Sequence, residues 1–175
     1  MKWNVRNRSA LFSKSENNVL EIGTDDINLI SELSQDRHEI VDRLCIHKAS
    51  EDPLHQMIIT HKKRKYIQPH RVNRVGEGSY LVLEGKLDLI VFSDSGTPEK
   101  RIRMTGYGKK GTFFCRLPSA TFRTQILWED SLFVETRLGP FRYSEKEIAH
   151  WAPNGKNCIL NEQYVRSLIE KLESS

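Results

Sequence analysis

The chain is 175 residues long, enough for one domain with a sizeable core. Hydrophobic residues make up 38% and charged residues 29%, the balance of a soluble globular protein. A net charge of +4 is too mild a bias to single out nucleic acid as a partner.

No apolar run approaches the roughly 20 residues that cross a bilayer. The opening "MKWNVRNRSALFSKSENN" is positively charged but lacks the apolar segment and small-residue cleavage site of a secretory signal. Cys45, Cys115 and Cys158 are odd in number, widely spaced and free of CxxC pairing. That speaks against a disulfide framework and a zinc knuckle, and points to reduced thiols in the cytoplasm.

Residues 1–23 are polar, with Leu11 and Phe12 as an apolar pair, and predict a loose arm or an edge strand. In "GTDDINLISELSQ", Thr24 is suited to cap a helix and Asp25 and Asp26 suit its first turn. Ile27, Ile30 and Leu33 share one face, so a short helix is predicted over about 25–35. Asp52-Pro53 marks a turn. "HQMIITH" is β-rich, with Met57 and Ile59 on one side and His55, Ile58 and Thr60 not cleanly sorted.

Beyond residue 65 the pattern is β-like. "KLDLIVF" puts Leu87, Leu89 and Val91 on one face and Lys86, Asp88 and Ile90 on the other. The turn "SDSGTPE" returns through "RIRM"; "GYGKKG" leads into "TFFCRL", then "TFRTQIL", "WEDS" and "LFVETR". Seven or eight short strands at spacings near ten residues predict a β-sandwich or barrel. Finally, "NEQYVRSLIEKL" aligns Tyr164, Val165, Leu168, Ile169 and Leu172 as one helical stripe, fit for the core or a dimer contact. The organisation is an arm over 1–23, a β-barrel domain with its preceding helix over 24–157, and an amphipathic helix over 158–175.

The β-body has the two-part layout of a cupin jelly roll. Pro69-His70 opens one strand and Gly85 ends the next; Gly111 precedes another, followed by "PSATFRT" where cupins carry Pro-x-Gly-x-x-His. The chain resembles the WbuC family of cupin-fold proteins, found among bacterial surface-polysaccharide genes. "RLCIHKASEDPLHQ" is similar to that family's Arg-x-Asn-x-His segment, and "YIQPHR" to its Tyr-Val-x-Pro-His-Arg-His. "LVLEGKLDLIVFSDSG" matches its first hairpin, and "LPSATFRT" stands at its Pro-x-Gly-Thr-Trp-His-Thr. "FVETRLGPF" and "IAHWAPNG" resemble its tail motifs. The resemblance covers roughly 24–157 and implies a mainly β cupin double-stranded β-helix with a short N-terminal and a C-terminal helix.

It also implies a divalent metal held by two histidines of Pro-His-x-His, a glutamate seven residues before the hairpin glycine, and a histidine in the second part. Here the first position is His70, but the others are Val72, Gly78 and Arg123. Glu77 lies one place from the acidic position, where a bulge could bring it in. A transition metal needs three or four donors, and a guanidinium repels a cation rather than ligating it. His70 and Glu77 are therefore the only remnants of a ligand set, and no resident cofactor is expected.

Strand alternation instead groups Arg123 with Thr121 and Gln125, and His70 with Gln68 and Val72, in a polar, partly cationic pocket. Arginine's donor fork suits a carboxylate or phosphate. One reading is a site for a small anionic or sugar-like ligand; the other is an Arg123–Glu77 or Arg123–Glu135 ion pair that plugs a dead site. His47 either lines the mouth or makes a structural hydrogen bond. Cys115 reads as a small buried hydrophobe, "HKKRK" (61–65) as a solvated turn, and Trp151 as a plug against the barrel.

The expected function is a metal-vestigial cupin binding such a ligand, with the polysaccharide setting implied by the resemblance alone. Neither nucleic acid nor membrane is an expected partner, and a homodimer is. An alternative is an epimerase- or isomerase-type enzyme on a nucleotide sugar, with His70 as base, Arg123 stabilising the oxyanion and Tyr80 as second acid–base group. Another is a metal enzyme recruiting Glu77 with His55 or His47.

Overall fold

The computed structural model describes residues 3–7, 9–13, 19–35 and 41–174, with the side chains of 5–7 left aside. A hairpin of β1 (Trp3–Asn7) and β2 (Ala10–Ser13) comes first, then helix α1 (Thr24–Leu33), β3 (Arg43–Cys45) and β4 (Leu54–His61). The body continues with β5 (His70–Val72), β6 (Glu77–Glu84), β7 (Lys86–Phe92), β8 (Pro98–Thr105) and β9 (Phe114–Pro118). It closes with β10 (Phe122–Leu127), β11 (Ser131–Leu138), β12 (Lys146–Ile148) and helix α2 (Cys158–Glu173).

The strands form two facing sheets, ordered β1-β2-β3-β4-β11-β6-β9 and β12-β5-β10-β7-β8. This is the jelly roll that the alternating pattern predicted. It has more strands than the seven or eight read from the sequence. Those overlooked are short or polar: three residues, as in β3 and β12, carry too little alternation to be seen. Of the predicted arm, Trp3–Asn7 and Ala10–Ser13 take the edge-strand alternative, with β2 joining β3 in parallel; residues 1–2, 8 and 14–18 lie outside the described residues.

Register sorts the faces that the sequence left mixed. In β4, Met57 and Ile59 point into the barrel with His55 and His61, while Ile58 points out against α1. In α1 the cap is Gly23 rather than Thr24. The Gly23 N–H donates to the Asp26 carboxylate at 2.9 Å, and Thr24 is already helical. Ile30 of α1 is fully buried on Ile58, Leu132 and Leu11.

The other sheet is covered by α2, whose first turn is capped by Asn157 accepting from the Leu160 N–H at 3.1 Å. Its predicted stripe packs on the outward residues Ile90, Phe92, Phe122 and Ile126. Trp151 is the plug the sequence suggested, its ring 5.0 Å from Phe92 and 5.7 Å from Phe122.

Between the sheets the interior divides in two. One end is apolar, built from Val82, Leu87, Leu89, Met104, Leu127 and Phe133. The other end is lined by charged and polar side chains.

Candidate functional site

β5 and β10 lie side by side with His70 directly opposite Arg123, so both point into the barrel. Arg123 is 6% exposed. Its Nε donates to the Tyr80 hydroxyl at 3.2 Å, and one terminal nitrogen donates to the Ser119 and Thr121 carbonyls, each at 3.1 Å. The second terminal nitrogen has no acceptor among the described residues. His70 Nδ1 lies 2.9 Å from the Gln68 carbonyl. A carbonyl only accepts, so Nδ1 carries the proton and Nε2 is left as an acceptor. Burial first, then Lys146 and Arg123, pull the His70 pKa down to about 4.

The facing wall brings in Glu135, which the sequence offered only as an ion-pair partner for Arg123, together with cations the sequence reading missed. Along β11, Glu135 and Arg137 share the inward face of Phe133, opposite Tyr80 and Gly78 of β6. Arg43 stands opposite Ile59 on the inward face of β3, and Lys146 of β12 stands opposite Val72. Arg43, Arg123, Arg137 and Lys146 thus surround one carboxylate, Glu135. None of the described residues hydrogen-bonds or ion-pairs with Glu135 directly. Burial pushes its pKa up, but Arg137 and Arg123 outweigh that and hold it below the usual range. Glu135 and His70 lie deep in the barrel, yet neither is fully closed off from water.

A narrow cleft reaches this cluster, with Arg123 and Arg137 in its walls and Pro140 and Phe141 over it. It has about 10 Å³ of free room, close to what one water needs. The Arg137 guanidinium stacks 4.5 Å from the centre of the Phe141 ring, and its Nε is buried without an acceptor. The covering segment is held by Arg74, which donates to the Pro140 carbonyl at 2.7 Å and the Gly139 carbonyl at 3.1 Å. Gly139 has to be glycine, because a side chain there would strike the Asp52 carbonyl and the His55 ring.

Of the residues predicted for the site, His70, Arg123 and Tyr80 come together. Glu77 does not join them. It faces outward and pairs with Arg116, because the strand runs without the bulge that would have turned it in. The Arg123–Glu77 and Arg123–Glu135 ion pairs do not form either. Gln68 donates its side-chain amide to the Ala149 carbonyl at 3.4 Å rather than facing Arg123. Gln125 points inward but is engaged by His61 at 3.3 Å.

His47 stacks on His55 at 3.9 Å and its Nδ1 bonds the Gln56 carbonyl at 3.1 Å, a structural role. Cys115 is only partly buried, and burial raises its pKa, so its thiol is a weak nucleophile. In the run 61–65, Lys62 meets Asp130 at 2.9 Å, while His61 and Lys65 turn toward Asp42.

The residues do not fit a metal. His70 stands beside Arg123 and Lys146, Glu77 is on the far side of the strand, and no three of His, Cys, Asp and Glu converge among the described residues. Glu135 and Arg137 had a sequence signal after all: they continue, at period two, the inward face begun by Phe133. A wider groove of about 730 Å³ opens between the edges of β8 and β9, beside Lys100, Arg103 and Phe114, away from this cluster.

A family model described as a domain of unknown function (DUF6016) matches residues 27–104. No curated protein matches the chain. Among solved structures, an uncharacterized conserved protein with a double-stranded β-helix domain from Klebsiella pneumoniae is similar at a TM-score of 0.50 and 10% identity. The match covers 77% of this chain and 99% of that one. A protein from Shewanella oneidensis gives 0.48 at 12% identity, over 73% and 85% of the two chains. An RmlC-like cupin from Desulfovibrio desulfuricans gives 0.41 at 18%, over 72% and 96%. At such identities the likeness concerns the fold, and the chain folds as a cupin-type double-stranded β-helix. Among the described residues no helix is long and apolar enough to cross a membrane.

Proposed function

We propose that this protein binds a small anionic ligand at the polar end of its barrel, held by Arg123 and Arg137. The observation that carries the reading is the pair of guanidiniums flanking one cleft, with the Arg137 Nε buried and lacking an acceptor. A buried donor without a partner costs about 1–3 kcal/mol, which a bound carboxylate or phosphate would recover. Four cations around a single acid favour an anion in the same direction, since charges interact strongly where water is scarce.

The cleft as it stands admits about one water, so a ligand enters when the Gly139–Glu145 segment swings away and Arg74 lets go. Arg123 takes the place, in charge, of the metal that a cupin of the WbuC type would hold. The surface-polysaccharide setting rests on that resemblance, and a cytoplasmic homodimer completes the proposal.

Binding is favoured over acid–base catalysis because a His70 with a pKa of about 4 is a weak base at neutral pH. Inorganic phosphate and D-glucuronate should each raise the melting temperature at low ionic strength, and uncharged glucose should not. Arg123→Gln and Arg137→Gln should abolish the shift. An equal response to glucose, or a response intact in both variants, would refute the reading. Near-stoichiometric transition metal in protein purified without a metal-affinity step would also overturn it.

A further inference from the structure

We infer that the ligand carries a hydroxyl beside its anionic group, as a hydroxycarboxylate does, and that Glu135 selects for that hydroxyl. The inference rests on the anion-binding reading above and adds a specificity-determining residue to it. Glu135 projects inward between Phe133 and Arg137, opposite Tyr80 on one neighbouring strand and Met57 on the other. An ionised carboxylate has about four acceptor positions, and none of the described residues occupies one here.

Several neighbouring donors are committed elsewhere, while Arg137 Nε and the second terminal nitrogen of Arg123 are left free for the ligand's anionic end. Arg123 donates to Tyr80, Ser119 and Thr121; Arg43 donates to Asp42 at 3.0 Å; His70 gives its Nδ1 proton to Gln68. The other buried acids behave differently. Asp88 receives Arg101 and Trp128, each at 2.8 Å, and Asp42 receives Arg43 and Lys65. Asp88 keeps one buried oxygen unpartnered and so does Glu145, but among the described acids of the inner wall Glu135 is the one with neither oxygen bonded to a protein donor.

A ligand that brought only an anion would place a second negative group beside this carboxylate with nothing to bridge them. A hydroxyl bridges them by donating to Glu135 while the anionic end lies on Arg123 and Arg137. An ammonium would also donate, but Arg43, Arg123, Arg137 and Lys146 already make the chamber cationic and repel it. The donor is therefore uncharged. A site built to bond a substrate hydroxyl discriminates against the analogue lacking it, because its acceptor is then stranded.

The test is calorimetric titration of the full-length protein with two matched pairs, glycolate against acetate and lactate against propionate. Wild type should bind the hydroxy acid at least about tenfold more tightly than its partner. Glu135→Met should reduce that preference below about threefold while leaving acetate affinity equal or higher, because a nearby negative charge is gone. Equal affinities for both members of each pair in wild type would overturn the role of Glu135 and leave anion binding standing. Failure of every acid to bind wild type would overturn the anion reading itself. Should Glu135→Met not fold, the wild-type preference together with the milder Glu135→Gln decides the matter. An undiminished preference in Glu135→Gln, with folding intact, would count against the inference.

Discussion

Asp42 and Glu135 are both inner-wall carboxylates, and their surroundings are opposite. Asp42, at the start of β3, is 4% exposed and meets Arg43 at 3.0 Å, Lys65, and His61 at 3.7 Å. Glu135, farther along the wall, sits among more cations and, among the described residues, bonds to none of them. The first is a structural acid whose partners close a corner of the fold. The second is held ionised by the field of the barrel rather than by direct bonds, and its acceptors stay open. Buried charges are ordinarily paired. An exception surrounded by cations is therefore where a ligand is to be sought.

Acid should break the Asp42 corner first. Burial depresses His61 and His70 to about 4, against an ordinary value near 6.5. Below pH 6.5 the unfolded chain takes up protons that the folded chain refuses. Stability therefore falls as pH drops from 6.5 to about 4, by up to about 3 kcal/mol for each histidine. Asp42, depressed below its usual range, adds a loss of the same sign at still lower pH. Urea unfolding at pH 7 and pH 4.5 measures this, and His61→Gln should flatten part of the slope. A pH-independent midpoint between those values would contradict the burial of these rings.

Neutralising the two acids should separate them. Asp42→Asn is expected to cost about 2 kcal/mol, less than the 3–5 of a fully buried pair, because the Arg43 and Lys65 side chains keep 34% and 33% of their surface in water. Glu135→Gln should cost less than about 1 kcal/mol, since no direct bond is lost. Equal costs would erase the distinction. The two arginines divide likewise. Arg123→Met strands the Tyr80 hydroxyl and two carbonyls and should cost about 2 kcal/mol, whereas Arg137→Met removes an orphaned donor and should lie within about 1 kcal/mol of wild type. Chemical denaturation of both variants reads the difference directly.

The smallest stability effect should come from Arg74→Ala, about 0.5 kcal/mol, because its ion pair with Glu145 at 3.6 Å is partly exposed. Its influence should appear instead in faster ligand association by stopped-flow, as the segment over the cleft loosens. An unchanged association rate would show that this segment does not govern entry.

Much of the barrel could be read from pattern alone. The alternation of "KLDLIVF" put Leu87 and Leu89 inside and Ile90 outside, and the terminal stripe through Leu168 packs as a helix should. His70, read as the one retained ligand position, and Arg123, read as standing at another, do come to lie opposite one another. Short elements were less legible: three-residue strands take their conformation from neighbouring strands more than from their own sequence. Glu77 was misplaced because one residue of register sends a side chain to the other face of a sheet.

The sequence by itself determined the two-sheet barrel and its flanking helices, because hydrophobic period and residue type are local properties. Only the tertiary structure decided that Arg43, Arg137 and Lys146 converge on Glu135, and that none of the described residues pairs with it. Those charges come from three strands distributed over both sheets, brought together by register and by the closing of one sheet on the other. No local pattern encodes such distances, and they decide whether a buried charge belongs to the scaffold or awaits a ligand.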